Sequence, residues 1–171
     1  MPENVWLMPL KDLDDDARAI KLGEIAELEV TEDQRRFVGE PLRMMLIALE
    51  EDSRHPFAID CNGSAAGVLT LQTGAATLAG WDDDLSVWLL RGFLIDRRQQ
   101  GRGLGTLAAD VAVREAAKLT AALGGGQAGV VLSVNEENPA GRAAYRKAGF
   151  QDRGRYLGGG AGPQRTLYRP F

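Results

Sequence analysis

Apolar residues recur along the chain in two spacings, and each spacing predicts one type of element. Short apolar runs bounded by Gly, Asn and Asp are typical of strands. Apolar residues three and four positions apart are typical of the buried face of a helix. The strands predicted in this way lie at residues 5–8, 57–60, 67–71, 87–95, 130–134, 150–157 and 166–168. The predicted helices lie at residues 13–23, 41–52, 103–123 and 139–148, and residues 24–38 are predicted to be a loop.

Turn and cap residues support these boundaries. Asn62 and Gly63 form a dipeptide typical of two-residue hairpin turns. Asn138 can cap a helix whose first residue is Pro139, and Gly149 can end that helix in the left-handed conformation. We therefore expect a hairpin in the first half of the chain and a short, sharply bounded helix in the second.

The centre of the chain predicts a crossover between parallel strands. A strand at 87–95, a helix at 103–123 and a strand at 130–134 follow one another, and such connections are almost always right-handed. A chain of 171 residues is long enough to bury one core without a metal or disulfide. The pattern predicts a single α/β domain over residues 1–171, with a mixed seven-stranded sheet flanked by about four helices.

Composition narrows the classes of function. A formal net charge of −4 argues against a general binder of nucleic acid or anionic membrane, because those partners need a basic surface. A net negative charge is compatible with a small cationic substrate. The lone Cys61 has no disulfide partner within the chain, and with His55 as the only histidine we expect no metal site. Residues 1–4 lack the features of a signal peptide, so we expect a cytoplasmic protein.

A glycine-rich turn follows the strand at 87–95. Gly101, Gly103 and Gly105 occupy alternate positions at the start of the helix at 103–123. Glycines let a ligand approach the main chain, and N–H groups at a helix start face an anion together with the positive end of the helix dipole. Glycines also serve simple strand-to-helix turns. If it binds a ligand, the turn predicts a phosphate or pyrophosphate site.

Two classes of phosphate-binding protein fit this turn poorly. It lacks the lysine of a nucleoside-triphosphate loop, and Thr106 stands where a dinucleotide-binding fold has its third glycine. That fold also needs an acidic residue at a strand end about 20 residues beyond the glycines. The nearest such strand end, at Glu136, comes too late. A dinucleotide-dependent oxidoreductase is therefore a disfavoured alternative.

The turn resembles the acetyl-coenzyme A loop of the GNAT N-acetyltransferase superfamily. That loop has Gln or Arg, two further residues, Gly, one residue, and then Gly or Ala. Gln100, Gly103 and Gly105 match it.

A second motif lies downstream in the right order. Asn138 and Tyr145, followed by Gly149 and Phe150, resemble the superfamily's pattern of Asn, a small residue, Tyr and Gly-Phe. Gly141 stands where alanine is commoner. Without the resemblance, the alternative roles of Asn138 and Tyr145 are a helix cap and a core residue.

The resemblance covers residues 86–150 and implies a GNAT fold, N-acetyltransferase activity and acetyl-coenzyme A (acetyl-CoA) as cofactor. It implies that the main chain of Phe93, Leu94 and Ile95 pairs with the pantetheine amides as an added strand would. It also implies that Tyr145 protonates the departing thiolate. The other cofactor-binding residues that it implies are Gln100, Gly101, Arg102, Gly103, Leu104, Gly105, Thr106, Asn138 and Gly141.

Elementary acid–base chemistry fits this assignment. An alkyl amine has a pKa of about 10.4, so it must lose a proton before it attacks a thioester. The leaving thiol has a pKa of about 8.5 and a tyrosine phenol one of about 10, so Tyr145 can protonate the thiolate with an ordinary pKa. Cys61 at the hairpin turn and the single His55 do not suggest an acetyl-enzyme, so direct transfer in a ternary complex is expected. The weak candidates for a general base are Glu24, Glu27, Glu29, Asp82, Asp83 and Asp84.

Residues 30–38 and 88–96 resemble the bacterial spermine and spermidine acetyltransferase branch of the superfamily. That branch tends to carry an acidic residue before its last strand, whereas residues 158–164 contain none. The expected acceptor is a primary amine of a small molecule, with a polyamine as one candidate. Alternatives are a protein N-terminus, a lysine, an aminoglycoside, or a coenzyme A-binding module without turnover. No nucleic-acid or membrane partner is expected, and a homodimer is left open.

Overall fold

A computed structural model describes residues 3–171. Within these residues the chain forms seven strands, five α-helices and three 3-10 turns. The strands are β1 (Val5–Pro9), β2 (Arg54–Cys61), β3 (Ser64–Gln72), β4 (Trp88–Ile95), β5 (Gly129–Asn135), β6 (Gln151–Tyr156) and β7 (Gln164–Pro170). The helices are α1 (Asp15–Ala26), α2 (Glu32–Phe37), α3 (Pro41–Leu49), α4 (Leu104–Leu123) and α5 (Pro139–Lys147). The 3-10 turns are Leu10–Asp12, Ala76–Ala79 and Arg97–Gln99.

One mixed sheet contains all seven described strands in the order β1-β2-β3-β4-β5-β7-β6. β4 and β5 are parallel, with Trp88 opposite Val130 and Leu89 opposite Val131. β1 pairs with β2, and β7 pairs with both β5 and β6, in antiparallel fashion. The predicted α/β class, the seven-stranded sheet and the central strand-helix-strand unit are confirmed.

The described chain divides into two compact units. One consists of the chain up to Thr70 together with Gly92–Leu104, and the other of Leu71–Arg91 together with Gly105–Phe171. The core of the first unit is built from buried side chains that include Leu10, Ile25, Met45, Val68 and Leu94. The core of the second includes Ala76, Ala79, Val87, Leu89 and Val131. The single domain over residues 1–171 stays a prediction.

The hairpin and cap signals act where the sequence predicts them. Asn62 and Gly63 have φ angles of 54° and 90° and connect β2 to β3. The side chain of Asn138 accepts a hydrogen bond from Gly141 N at the start of α5, and Gly149 follows the helix with φ at 90°. These turns depend on a few neighbouring residues, which is why local sequence predicts them.

The predicted loop at residues 24–38 is wrong in two places. α1 continues to Ala26, and α2 forms between Glu32 and Phe37 as a short fifth helix. A capping box starts α2: Gln34 N donates to Thr31 Oγ1, and Thr31 N donates to Gln34 Oε1. The six residues of α2 are too few to show a helical repeat of apolar positions.

None of the helices within residues 3–171 is long and apolar enough to cross a membrane.

Candidate active site

The turn after β4 is held by the buried carboxylate of Asp96. Its oxygens accept hydrogen bonds from Arg98 N at 2.8 Å, from Arg98 Nη2 at 2.6 Å and from Glu29 N at 3.4 Å. The hydrogen bonds from Arg98 outweigh the effect of burial and lower the pKa of Asp96. Asp96 therefore stays ionised and fixes the start of the turn at the end of the strand.

Gly101 and Gly103 leave the main chain of the turn open. Both are exposed and have positive φ angles, 80° and 78°. A Cβ atom added to either would meet no other atom within 4 Å. α4 begins at the next residue, Leu104, and the first N–H groups of a helix have no acceptor within it. The turn therefore fits the diphosphate of a coenzyme, because it offers accessible main-chain donors and the positive end of a helix dipole.

Arg102, at the tip of this turn, has acidic and amide partners. Its Nη2 lies 2.5 Å from Glu3 Oε1 and its Nη1 lies 3.2 Å from Gln99 Oε1. The hydrogen bond from Arg102 lowers the pKa of Glu3, which also accepts from the thiol of Cys61 and from Asn62. A phosphate that binds Arg102 therefore has the Glu3 carboxylate as a neighbour.

Cys61 is the last residue of β2 and is buried, which corrects its predicted place in the hairpin turn. Burial, together with the neighbouring Glu3, raises the pKa of its thiol. A thiol with a raised pKa is a poor nucleophile near neutral pH, because the thiolate is the reactive form.

The main chain at the end of β4 alternates between two edges of the strand. Asp96 N donates to Ala66 O of β3 at 2.7 Å, and Leu94 O lies against the position that a Cβ on Gly67 of β3 would occupy. The main-chain groups of Leu94 therefore face β3, and those of Phe93 and Ile95 face the opposite edge. This arrangement favours Phe93 and Ile95 over Leu94 as partners for an added strand.

In the second unit, the first turn of α4 contacts α5. Thr106 Oγ1 donates to Ala144 O at 3.3 Å, so Gly105 and Thr106 lie next to the helix that carries Tyr145. Asn138 caps this helix by accepting from Gly141 N at 3.0 Å. A Cβ on Gly141 would lie 2.6 Å from Asn138 Nδ2, so an alanine at this position would require the Asn138 side chain to shift.

Tyr145 is half-buried in α5, and its ring packs edge-on against Phe150 with 6.0 Å between centroids. Burial raises the pKa of the Tyr145 phenol above its ordinary value. The expectation of an ordinary pKa is therefore wrong, since the surrounding protein disfavours the phenolate. The folded phenol therefore keeps its proton to higher pH than a free tyrosine does.

Four of the six candidate bases carry structural contacts. Glu24 binds Lys21 at 2.6 Å, and Glu29 binds Arg97 at 2.7 Å. Asp83 accepts from the hydroxyl and N–H of Ser86, which lowers its pKa, and Asp84 accepts from Thr77 N. The other two, Glu27 and Asp82, are exposed. The lowered pKa of Asp83 is the opposite of the raised pKa that a general base needs near neutral pH.

A comparison with protein-family models decides the family. The model of the acetyltransferase (GNAT) family matches residues 22–150. The chain belongs to the GNAT acetyltransferase family. It is an N-acetyltransferase, and acetyl-CoA is its co-substrate. The predicted fold, enzyme class and cofactor are confirmed.

Three proteins similar to this GNAT acetyltransferase share 12–26% of their aligned residues with it. An uncharacterized N-acetyltransferase of Bacillus subtilis (strain 168), YbbJ, is 26% identical over 151 residues, which are 86% of this chain and 89% of the relative. Aminoglycoside acetyltransferase AAC(6')-Ib in complex with coenzyme A and kanamycin has a TM-score of 0.69 at 18% identity and covers 99% of this chain and 95% of its own. Spermidine N-acetyltransferase from Vibrio cholerae, in complex with coenzyme A and spermine, has a TM-score of 0.64 at 12% identity and covers 97% and 95%. These two structures show the shared fold.

Three residues at the GNAT turn were not predicted. Asp96 accepts a hydrogen bond from Arg98 N in the turn, and Glu3 accepts one from Arg102. Gln34 donates to the carbonyl of Ile95 at 2.8 Å. The spacing from Thr31 to Gln34 is a capping-box signature and could have indicated α2. No local signal indicates the contact with Ile95, which lies 61 residues away along the chain.

Proposed function

We propose that this enzyme transfers the acetyl group of acetyl-CoA directly to a primary amine of a small molecule in a ternary complex. The observation that supports the proposal best is the open turn at Gly101 and Gly103, which leads into the first turn of α4. A turn that served packing alone would not need two exposed glycines with positive φ angles and empty space around them.

The coenzyme contacts are divided among three groups of residues. Main-chain N–H groups of residues 100–106, with the charge of Arg102, bind the diphosphate. Phe93 C=O and Ile95 N–H pair with the amides of the pantetheine arm. Asn138 and Gly141 contact the arm from the start of α5.

The bound co-substrate supplies an activated acyl group, in which the thiolate is the leaving group. The amine nitrogen attacks the carbonyl carbon, a C–N bond forms and the C–S bond breaks. Tyr145 gives its phenolic proton to the sulfur, and the amine gives up a proton to solvent. The Tyr145 phenolate recovers a proton from solvent. The buried thiol of Cys61, with its raised pKa, supports direct transfer over an acetyl-enzyme.

Electrostatics supports a cationic acceptor. The net charge is −4, and spermine and kanamycin, the ligands named for the two structural neighbours, are both amines. Arg35, which would repel a polyamine, forms an ion pair with Glu40. We infer a polyamine or another small polyamine-like compound as acceptor, and we keep a cytoplasmic location and a homodimer as predictions.

Thiol release from acetyl-CoA, followed with a thiol-reactive dye, tests the proposal. The panel is spermine, spermidine, aminoglycosides, amino acids, and peptides with a free N-terminus or lysine. We expect release with at least one small amine and a matching mass increase of one acetyl group on that amine. Release with peptides alone would favour the protein acetyltransferase alternative, and coenzyme binding without release would contradict the proposal.

A further inference from the structure

The side chain of Gln34 is held at both ends beside β4. Its Nε2 donates to the carbonyl of Ile95 at 2.8 Å. Its Oε1 accepts from Thr31 N at 2.8 Å, and its own main-chain N–H donates to Thr31 Oγ1 at 3.1 Å. The amide of Gln34 therefore joins the capping box of α2 to the end of β4.

The chain before α2 is fastened to the same end of the strand. Arg97 N donates to Glu29 O at 2.7 Å, and Asp96 accepts from Glu29 N. Asp96 is almost fully buried, with 1% of its surface exposed, so the carboxylate that accepts from Glu29 N is held in place. Gln34 thus approaches Ile95 from a segment that is itself anchored to β4.

The carbonyl that Gln34 binds faces the edge of β4 opposite β3. In the same peptide unit, Asp96 N donates to Ala66 O of β3, and the C=O and N–H of a trans peptide point in opposite directions. Gln100 Nε2 reaches the same carbonyl at 3.2 Å. A carbonyl oxygen has two lone pairs, so both acceptor positions of Ile95 O are used.

This saturation restricts how an extended ligand can pair with β4. Phe93 C=O and Ile95 N–H face the same edge as Ile95 C=O, because main-chain groups alternate along a strand. An arm that pairs at Phe93 and Ile95, as in the proposed function, does not compete with Gln34 for Ile95 C=O. A register shifted by two residues, about 6.6–6.8 Å, needs Ile95 C=O as an acceptor. That register must first break a hydrogen bond from Gln34 or Gln100.

We propose that Gln34 is a positioning residue that sets the register of the pantetheine arm on β4 by occupying the carbonyl of Ile95. The inference rests on the proposed function, in which the arm pairs with Phe93 and Ile95. Gln34 does not touch the reacting atoms. By allowing only one register of the arm, it fixes the distance between the thioester and the diphosphate site.

Gln34→Glu tests this role because it separates the two contacts of the side chain. A glutamate still accepts from Thr31 N, as in a standard capping box, but its carboxylate cannot donate to Ile95 C=O. We expect kcat to fall at least about tenfold, since a misplacement of 1 Å can cost about 100-fold in rate. The Kd for coenzyme A should rise less than about threefold, because the diphosphate contacts are kept.

Thr31→Ala is the matched control. It removes the hydroxyl that caps α2 and leaves the amide of Gln34 free to reach Ile95 C=O. We expect a lower melting temperature with kcat within about twofold of the wild type, since the lost cap stabilises α2 but does not supply the donor to Ile95 C=O. If Gln34→Glu does not fold, Gln34→Asn, whose amide is one methylene shorter, replaces it with the same expectations.

Steady-state rates at saturating amine and acetyl-CoA, calorimetric Kd values and thermal melts distinguish the outcomes. An unchanged kcat in Gln34→Glu, or an equal fall in kcat in Thr31→Ala, would overturn the register assignment. With active wild-type enzyme, either result leaves the proposed function standing. A wild-type protein that neither binds nor uses acetyl-CoA would overturn both.

Discussion

At the scale of single residues, Tyr145 carries the one chemical step that the proposal assigns to a side chain. Its phenol is held protonated by burial, and its ring packs edge-on against Phe150. Tyr145→Phe keeps the ring and removes the proton donor. We expect kcat to fall by about 10²–10⁴-fold with the Kd for coenzyme A unchanged, measured by thiol release and calorimetry. A variant with the wild-type kcat would rule out Tyr145 as the general acid.

Because the pKa of Tyr145 is raised in the folded state, we expect the protein to lose stability as the pH becomes alkaline. An unfolded tyrosine loses its proton near pH 10, whereas the folded phenol keeps its proton to higher pH. Above about pH 10 the unfolded state therefore binds fewer protons than the folded state, and the free energy of unfolding falls as pH rises. Urea unfolding at about pH 8 and pH 11 should show a larger loss for the wild type than for Tyr145→Phe. Equal losses in the two proteins would contradict the shift.

At the scale of elements, the sequence predicts what depends on neighbouring residues. The turn at Asn62 and Gly63, the cap at Asn138 and the end of α5 at Gly149 each need only a few adjacent positions. Strand-to-helix order around the glycine turn follows from apolar spacing in the same way. These features were sufficient to predict the sheet and the central strand-helix-strand unit.

The features that were not predicted depend on residues far apart in the chain. α2 has six residues and no apolar repeat, and its capping box went unrecognised within a polar stretch. The carbonyl that Gln34 binds and the carboxylate that holds Arg102 come from segments brought together only by folding. The raised pKa of Tyr145 likewise arises from burial, which residue type alone does not reveal.

At the scale of the whole molecule, the family is established, and the proposal of a cationic acceptor depends on the net charge of the protein. A protein with a net charge of −4 attracts polycations, and added salt weakens this attraction. The Debye length, beyond which the attraction is largely screened, is about 8 Å at 0.15 M ionic strength. If the acceptor is a polyamine, kcat/KM for spermine should fall with added NaCl more steeply than kcat/KM for a monoamine. Initial rates between about 0.02 and 0.3 M NaCl measure this. Equal salt dependence for the two amines would argue against electrostatic selection of the acceptor.

Coenzyme binding at the glycine turn is the step on which the transfer chemistry, the register of the arm and the choice of acceptor all depend. Gly103 and Gly124 lie at opposite ends of α4, with φ angles of 78° and 65°, and a Cβ on either would meet no atom within 4 Å. Gly103→Ala and Gly124→Ala therefore introduce similar backbone strain, roughly 1–2 kcal/mol each, and similar losses of stability. Only the first alters the turn proposed to hold the diphosphate.

Calorimetric titration of coenzyme A into the wild type and these two variants is the most direct test. We expect the Kd to rise about tenfold or more in Gly103→Ala and to stay within about twofold of the wild type in Gly124→Ala, since tenfold corresponds to about 1.4 kcal/mol of binding free energy. The same Kd in all three proteins would show that the coenzyme binds elsewhere.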